Sequence, residues 1–327
     1  QEFEKKFAEF IGQKFCVLSN SATSVMQLTF MALGIGPGDE IIVPSLTAFP
    51  TIEPIFHVGA KPVFVDIDDS YNINPDLIEK KITKKTKVIL PVHLYGNPVN
   101  LKKITSLAKK YSLILLEDCC QAHGAEYHGK KVGSLGGASF FSFFPSKNLT
   151  FLGDGGAMLS NDMELIKKVR MLRDHGRQDK YTHQFVGFNM RANEIQAAIG
   201  LVQLRRLNKF NDRRRQIAAL YNKLLKDLPL VLPTEEPLGK SVYHMYVIRT
   251  KKRDKLADYL RRKNIFTGIH YPIPCHLQPA VTTRLGKISL PKTEKYCHEI
   301  LSLPIHPLLT NLQVKRVVTQ IKSFLTK

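Results

Sequence analysis

One lysine of this 327-residue chain is well placed for covalent chemistry. Lys147 ends the segment Phe140-Phe141-Ser142-Phe143-Phe144-Pro145-Ser146-Lys147 and is followed by a Gly-rich stretch that begins at Gly153. An amine beside an apolar core is destabilised in its charged form, so it is more available as a nucleophile toward a carbonyl carbon. The segment alone also fits a surface lysine after a buried strand, so the choice depends on the rest of the chain.

A carboxylate follows another apolar segment. Glu117 and Asp118 come directly after Leu113–Leu116. If that segment is a central strand of an open sheet, an acid at its carboxyl end occupies the usual ligand position. An acid there holds a heteroaromatic nitrogen protonated, as pyridoxal phosphate requires. The alternative is an aspartate that caps a helix.

Three further segments offer groups for a phosphate. Asn20-Ser21-Ala22-Thr23-Ser24 lies between a predicted strand and a predicted helix, whose first backbone N–H groups suit an anion. The Ser142 hydroxyl also suits a phosphate oxygen. Asn189, in Gly187–Arg191, is a third candidate. The alternatives are an ordinary helix cap and a turn asparagine.

The first half of the chain alternates apolar runs with helical patterns. Runs rich in Val, Ile and Leu without polar alternation indicate strands buried on both faces, as in a parallel sheet. Such a series predicts ligand groups at the carboxyl ends of the strands. The predicted strands are Phe15–Leu18, Glu40–Val43, Pro62–Val65, Val88–Val92 and Leu113–Leu116; the predicted helices lie near Thr23–Leu33, Pro75–Ile82 and Leu101–Lys110.

The second half predicts long helices and a separate domain. Helical patterns lie near Met163–Arg173 and Asn193–Lys226, and a strand at Tyr243–Arg249 follows Pro229. Further helices are predicted near Lys252–Lys263 and Thr310–Thr326. We therefore expect an α/β protein with a large domain over residues 1–215 and a smaller α+β domain over residues 216–327.

The glycine-rich segment after the first predicted helix is not a dinucleotide-binding motif. Gly34-Ile35-Gly36-Pro37-Gly38-Asp39 is turn chemistry that ends a helix, and it matches neither GxGxxG nor a phosphate loop ending in Gly-Lys-Ser/Thr. The sequence therefore disfavours a dehydrogenase.

The formal net charge of +20 raises the question of a polyanionic partner. The densest basic clusters are Arg213–Arg215, Arg261–Lys263 and Lys80–Lys87, and we expect them on solvated helix faces or turns. None is interleaved with aromatic residues, as a base-stacking platform would be. We expect no nucleic acid partner.

Cysteine usage and hydropathy bear on the compartment. The five cysteines form no CxxC pair, their number is odd, and no apolar run approaches the roughly 18 residues that span a bilayer. These features, without a secretory leader, predict a reduced, cytoplasmic protein with no membrane partner and no metal. The opening Gln1-Glu2, which lacks an initiator Met, indicates a preceding segment.

Taken together, the segments resemble the DegT/StrS-type nucleotide-sugar aminotransferases. That family uses pyridoxal 5'-phosphate on the fold type I aspartate-aminotransferase architecture, so the resemblance implies a mostly parallel central sheet flanked by helices. The order and spacing of the shared pieces, rather than any one piece, carry it. These pieces are Gly36–Glu40, Pro91–Gly96, Glu117–Gly124, Ser142–Asn148, Asn193–Ala198 and His270–Pro279.

The resemblance implies a role for the main candidates. Lys147 matches the Schiff-base lysine, which also shuttles a proton between cofactor carbon atoms. Asp118 matches the acid that pairs with the pyridinium nitrogen, and Gln121 matches the side chain near the phenolic oxygen.

The phosphate of the cofactor also has matching residues. Ser142 and the backbone at Ala22 and Thr23 match the phosphate cradle. Asn189 matches a residue that reaches the phosphate of the neighbouring subunit's cofactor, which implies a homodimer with shared active sites.

The group that stacks on the cofactor ring is less defined. Many members place an aromatic residue where this chain has Ala48, with Phe49 next, so Phe49 and His93 are both candidates. Many members also read Asn-Gly-Thr where this chain has Asn20-Ser21-Ala22. On the substrate side, Tyr271 and His276 are candidates to face the sugar; a rigid proline-rich loop is the alternative.

The implied reaction is a two-stage transamination, with glutamate as donor and a keto group, at C3, of a dTDP- or UDP-linked sugar as acceptor. A 4-keto sugar remains an alternative. A sugar dehydratase is another, but such relatives carry histidine in place of Lys147. The third is a non-catalytic regulator, suggested by the net charge.

Overall fold

The computed structural model describes residues 1–326 and has an open α/β sheet at its centre. Within these residues the main sheet has seven strands in the order β1-β9-β8-β5-β4-β2-β3. Smaller pairings join β10, β6 and β7, and β11 with β12. The strands are β1 Phe15–Ser19, β2 Glu40–Pro44, β3 Lys61–Val65, β4 Thr86–Ile89, β5 Ile114–Asp118, β6 Glu126–Tyr127, β7 Lys130–Lys131, β8 Ala138–Ser142, β9 Gly156–Ser160, β10 Gly239–Lys240, β11 Tyr246–Arg249 and β12 Ile300–Leu303.

The main sheet is mostly parallel, as the uninterrupted apolar runs predict. Strand β2 pairs in parallel with β3 and β4, β4 with β5, and β5 with β8, whereas β9 runs antiparallel to β8 and to β1. Every residue of β2 and of β9 is buried, which is why neither strand shows polar alternation. The five strands predicted from the sequence are confirmed, with ends shifted by a few residues.

Helices cover both faces of the sheet. The predicted helices are confirmed except near Pro75–Ile82, where two 3-10 turns, Pro75–Leu77 and Glu79–Lys81, replace a helix. The helices are α1 Glu2–Ile11, α2 Ala22–Ala32, α3 Glu53–His57, α4 Leu101–Lys110, α5 Met163–Arg173, α6 Glu194–Leu225, α7 Arg253–Arg262, α8 Pro279–Leu285, α9 Pro291–Glu299 and α10 Asn311–Leu325.

Helix α1 was not expected, although its sequence explains it. Phe3, Phe7 and Ile11 recur at helical spacing and are buried against the sheet. The helix ends at Gly12, which adopts a positive φ of 91° that glycine reaches without strain.

Apolar side chains gather in separate clusters. Two clusters lie on the main sheet, one around Phe7 and Phe141 and the other around Met26 and Phe140. A third begins at Ile217 on α6 and includes residues of β11, α7, β12 and α10. This third cluster supports a C-terminal domain, but Cys275, Val281 and Leu290 belong to the second cluster. The division after residue 215 stays a prediction.

None of the helices within residues 1–326 is both long enough and apolar enough to cross a bilayer.

Candidate active site

A cavity of about 320 Å³ opens where the carboxyl ends of the parallel strands meet. Residues from the loop after β2, the end of β5, the end of β8 and the start of α2 line it, which is the ligand position of an open α/β sheet. The lining residues are Ser21, Ala22, Thr23, Met26, Thr47, Ala48, Pro50, Thr51, Val92, Asp118, Cys120, Gln121, Ser142, Phe144, Lys147, Asp154 and Gly155.

Lys147 reaches this cavity from the loop that follows β8. Its backbone N–H donates to the carbonyl of Phe144 at 2.9 Å, so a tight turn presents the side chain. Burial lowers the pKa of the amine, whereas Cys120 and Asp118 act in the opposite direction. Since burial prevails, a larger fraction of the amine is neutral at a given pH than for an exposed lysine.

Asp118 ends β5 inside the same cavity and is 2% exposed. One carboxylate oxygen accepts from the hydroxyl of Thr51 at 2.8 Å, and the other accepts from the backbone N–H of Cys120 at 3.0 Å. No lysine, arginine or histidine of residues 1–326 forms an ion pair with it. A buried carboxylate without a cation fits a ligand that brings a positively charged nitrogen.

The start of α2 forms the opposite end of the cavity. Ser21 is the N-cap, and its hydroxyl accepts from the backbone N–H of Ser24 at 3.0 Å. The first N–H groups of a helix have no partner within it, so Ala22 and Thr23 offer donors to an anion. The alternative readings of this segment, a helix cap and an anion site, are therefore compatible.

A glycine allows this arrangement. Gly156 begins β9 against the start of α2, and a Cβ there would lie 2.1 Å from the backbone nitrogen of Ala22. Only glycine permits so close an approach, and Ser142 on the neighbouring strand β8 brings its hydroxyl to the same cavity.

Gln121 is fixed by two hydrogen bonds. Its side-chain oxygen accepts from the backbone N–H of Tyr95 at 2.8 Å, and its amide nitrogen donates to the hydroxyl of Tyr271 at 3.2 Å. Burial raises the pKa of Tyr271 to about 12, so its hydroxyl stays protonated at neutral pH. Tyr271 therefore lies next to a residue of the cavity wall, which supports its predicted place near the substrate.

The stacking role predicted for His93 is wrong, because its ring lies away from the cavity. The backbone N–H of Val99 donates to Nδ1 at 3.1 Å, so Nδ1 carries no proton and Nε2 donates to Glu117 at 3.2 Å. Glu117 also accepts from backbone N–H groups of Gly133, Leu135 and Gly136. Both ring nitrogens are thus used in a fully buried structural network.

The same bonds decide whether this network holds a metal. His93, Glu117 and Cys119 have ligand atoms within 4.8 Å of one another. Because the lone pair of His93 Nδ1 is already occupied and Nε2 carries its proton, the histidine offers no ligand atom. Burial and the neighbouring carboxylates raise the pKa of Cys119, so its thiol stays protonated.

Phe49 is also absent from the cavity wall within the described residues. It begins a short 3-10 helix and packs, partly buried, against the second apolar cluster. Its neighbours Ala48 and Pro50 line the cavity instead. The predicted stacking of Phe49 on the cofactor ring is therefore not supported by its position.

His276 does not face the cavity. Its ring is fully buried between Ser45, whose hydroxyl bonds Nδ1 at 2.5 Å, and Glu294, which lies 3.2 Å from Nε2. Its predicted contact with the sugar is wrong, because these bonds use both nitrogens to attach the loop after residue 272 to the end of β2 and to α9.

Asn189 is exposed and does not line the cavity of its own chain. It lies in an antiparallel bridge with Asp174, and its neighbour Arg191 bonds the carboxylate of that residue at 2.6 Å. An exposed position is what a residue that reaches a second subunit requires. Its predicted role stays a prediction.

Several cavity residues were missed by the sequence analysis. Thr47 and Thr51 lie in the loop after β2, Cys120 follows the acid, and Phe144 precedes the lysine. Thr47 and Cys120 follow predicted strands by four residues, so the rule that ligand groups follow strand ends would have found their segments. No strand was predicted before Phe144. Nothing in the sequence shows that the Thr51 hydroxyl meets Asp118.

The basic cluster on α6 differs from its prediction. Arg213 and Arg215 bond nearby acceptors at the surface, but Arg214 is 7% exposed. Its guanidinium donates to the carbonyls of Tyr243, His244 and Ile305. Burial lowers its pKa to about 10, so it remains charged and links α6 to the C-terminal segments.

The chain matches the DegT/DnrJ/EryC1/StrS aminotransferase family over residues 1–322. It is 45% identical, over 99% of its length and 89% of the relative's, to dTDP-3-amino-3,6-dideoxy-alpha-D-galactopyranose transaminase of Aneurinibacillus thermoaerophilus. It is 42% identical, over 99% of its length and 88% of the relative's, to a "Pleiotropic regulatory protein" of Geobacillus stearothermophilus.

A solved structure agrees with the sequence relatives. The crystal structure of S. venezuelae DesV in complex with a ketimine intermediate has a TM-score of 0.97 with this chain at 40% identity. The alignment covers 100% of this chain and 89% of that one. The chain belongs to the DegT/DnrJ/EryC1/StrS aminotransferase family.

Proposed function

We propose that this member of the DegT/DnrJ/EryC1/StrS family transfers an amino group from glutamate to the keto group at C3 of a dTDP- or UDP-linked sugar. The observation that carries the proposal is the meeting of Lys147, Asp118 and the start of α2 in one cavity. The transaminase relative named for a 3-amino sugar, at 45% identity, supports the position of the amino group.

Pyridoxal 5'-phosphate is the cofactor. When bound, it supplies an aldehyde that takes up an amine and a ring that withdraws electrons from the reacting carbon. The residues of the cavity fit it. Asp118 is a buried carboxylate that forms no ion pair among residues 1–326, and the N–H groups of Ala22 and Thr23 with the Ser142 hydroxyl are donors for its phosphate.

Lys147 is the residue that we assign to covalent attachment and proton transfer. Its amine is half-buried, and burial lowers its pKa, so it is readily neutral. A neutral amine can take a proton from one carbon and return one to another, so that a single group acts first as general base and then as general acid.

Asp118 and Gln121 orient and polarise the bound ring in this proposal. The carboxylate of Asp118 keeps a proton on the ring nitrogen, and the bonds from Thr51 and Cys120 hold that carboxylate in place. Gln121 contributes its amide near the phenolic oxygen, while Tyr271 lies beyond it on the substrate side.

We further propose that two copies of the chain share their active sites, with Asn189 reaching the phosphate site of the other copy. Four of the large apolar side chains that are exposed lie in the segments 144–152 and 186–195, and a second copy would cover them. They are Phe144, Leu152, Val186 and Ile195. We place the enzyme in the cytoplasm, where nucleotide sugars are made.

Two other functions remain to be separated by experiment. A 4-keto sugar is the second candidate acceptor, because the cavity does not distinguish the two ketones. A regulatory role is suggested by the name of the Geobacillus relative. The meeting of Lys147 and the buried Asp118 in one cavity favours catalysis, since a purely regulatory protein has no use for it. A dehydratase is disfavoured by Lys147 itself.

A substrate panel tests the proposal. Purified protein with pyridoxal phosphate and glutamate would be incubated with 3-keto and 4-keto sugars linked to dTDP or UDP, and the amino sugar measured by mass spectrometry. We expect an amine from a 3-keto sugar. Amine formed from the 4-keto sugars alone would move the reaction to C4, and no amine from any ketone would contradict the proposal.

A further inference from the structure

The residue after Lys147 anchors a buried polar network. The side-chain nitrogen of Asn148 donates to Oδ1 of Asn211 on α6 at 3.0 Å and to the carbonyl of Val242 at 3.2 Å. Asn211 in turn donates to the carbonyl of His123 at 2.8 Å. Since Asn148 is buried, these partners fix which end of its amide is nitrogen and which is oxygen.

That orientation fixes the proton on a histidine. The oxygen of Asn148 lies 3.1 Å from Nδ1 of His244. Because an amide oxygen only accepts, Nδ1 must carry the proton, and a neutral His244 then has a bare lone pair on Nε2. His244 is 6% exposed, and Nε2 is buried with no hydrogen-bond partner among residues 1–326.

The charged and titratable groups around His244 keep it neutral. Burial lowers its pKa most, and among the neighbouring positive charges Lys147 lowers it further by the largest amount. Arg214 on α6, His123 after β5 and His270 in the loop after α7 act in the same direction. His123 does not compete as a cation, because burial lowers its own pKa to about 3.

We propose that His244 is a positioning residue for Lys147: Asn148 holds it as the Nδ1–H tautomer, and its Nε2 lone pair accepts a hydrogen bond from the Lys147 amine through one buried water molecule. A buried polar atom without a partner is costly, and a bridging water among several polar groups is the common way to satisfy it. The inference rests on the proposed function, since it concerns the same lysine.

The contact between His244 and Lys147 would serve the proton-transfer step of the proposed reaction. Lys147 is free of the cofactor during proton transfer, and an amine on a flexible side chain needs a partner to hold it near the reacting carbon. A neutral imidazole supplies that partner, whereas a protonated one would repel the ammonium group. Residues that orient a catalytic group in this way typically change rates by about tenfold or more when they are replaced.

Two substitutions separate the two nitrogens of His244. In His244→Asn the amide nitrogen takes the place of Nδ1, so the bond to Asn148 is kept and the Nε2 lone pair is lost. In His244→Gln the side-chain oxygen takes the place of Nε2, so an acceptor is kept and the bond to Asn148 is lost. The exposed His298 gives a matched control, His298→Asn.

We expect His244→Asn to lower kcat about tenfold with KM for glutamate within about twofold, and His244→Gln to retain more activity. Loss of the acceptor removes support for the protonated amine, so the pKa of Lys147 falls and the acid limb of kcat moves to lower pH. The control should match the wild type. An unmoved limb, or an Asn variant more active than the Gln variant, would overturn the proposal.

A second readout does not depend on turnover. The full chain labelled with ¹⁵N-histidine and loaded with pyridoxamine phosphate, which leaves Lys147 free, would be studied by NMR. We expect His244 to carry its proton on Nδ1 between about pH 6 and 8, and Lys147→Met to shift the Nε2 resonance. A protonated Nε2, or no shift, would overturn the proposal while leaving the proposed function intact.

Discussion

The hydroxyl of Thr51 donates a hydrogen bond of 2.8 Å to the buried carboxylate of Asp118. Because that hydrogen is used, the contact of 2.9 Å between Thr47 and Thr51 must be a bond that Thr47 donates. The backbone N–H of Cys120 holds the other oxygen. These hydrogen bonds from the loop after β2 therefore orient the carboxylate that meets the cofactor ring. The fold fixes the position of this carboxylate as well as its presence in the site.

Replacing either member of this pair should affect catalysis to different degrees. Asp118→Asn removes the charge that keeps the ring nitrogen protonated, so we expect kcat to fall by at least about 100-fold while cofactor still binds. Thr51→Val removes one bond to the carboxylate, and we expect a fall of about tenfold. Exposed Thr283→Val is the control, measured by steady-state kinetics beside cofactor absorbance. Equal activity in Asp118→Asn and wild type would remove the electronic role.

We expect His93 to affect the free energy of unfolding but not the absorbance of bound pyridoxal phosphate. His93→Phe removes the side-chain donor of Glu117, which keeps its three backbone donors, and leaves the N–H of Val99 without an acceptor. We therefore expect a loss of about 1–3 kcal/mol in the free energy of unfolding. The visible absorbance of bound pyridoxal phosphate should be unchanged, because the ring does not touch the cavity. His93→Gln, which keeps a donor, should lose less. An altered absorbance with unchanged stability would restore the stacking role.

The sequence predicts the strands of the sheet because their burial on both faces produces apolar runs. The family resemblance also assigns Lys147, Asp118 and Ser142 to one site, although the strand that ends at Ser142 was not among the predicted strands. The sequence does not predict that His93 meets Glu117 or that His276 meets Ser45, because these partners lie 24 and 231 residues away along the chain. The local sequence around a histidine does not reveal whether its side chain faces a ligand or a buried carboxylate.

Burial of a charge was also beyond the sequence. Arg214 lies between two arginines that are only partly buried, and its position on α6 differs from theirs by a single residue. Arg214 is buried because the later segments at Tyr243 and Ile305 cover it and accept hydrogen bonds from its guanidinium. In the same way, packing decides that Pro75–Ile82 forms 3-10 turns instead of the predicted helix.

The lowered pKa of Lys147 makes stability depend on pH. Between this lowered value and the ordinary 10.5, the unfolded chain binds more protons than the folded one, so the free energy of unfolding of cofactor-free protein should rise with pH there. Lys147→Met should flatten this rise and stabilise the cofactor-free protein at neutral pH by about 1 kcal/mol. Denaturant titrations at several pH values measure it; the exposed Lys287→Met is the control. A variant as pH-dependent as the wild type would contradict the burial of the amine.

Shared sites predict complementation between two inactive variants. In a mixed dimer of Lys147→Ala and Asn189→Ala chains, one site carries both defects and the other carries neither. If subunits mix at random, about half of the dimers are mixed, so activity should return to about one quarter of the wild-type value. The exposed Asn161→Ala chain, mixed with Lys147→Ala, is a control for exchange alone. No recovery after verified exchange would contradict the role of Asn189 across the interface.

The central claim is that Lys147 alone forms the covalent link to pyridoxal phosphate. Borohydride reduction of the loaded protein, followed by peptide mapping with mass spectrometry, makes that link permanent and locates it. We predict the reduced cofactor on the peptide that contains Lys147 and on no other, and its complete absence in Lys147→Ala. Reduced cofactor on a different lysine of the wild-type protein, or none on Lys147, would contradict the account.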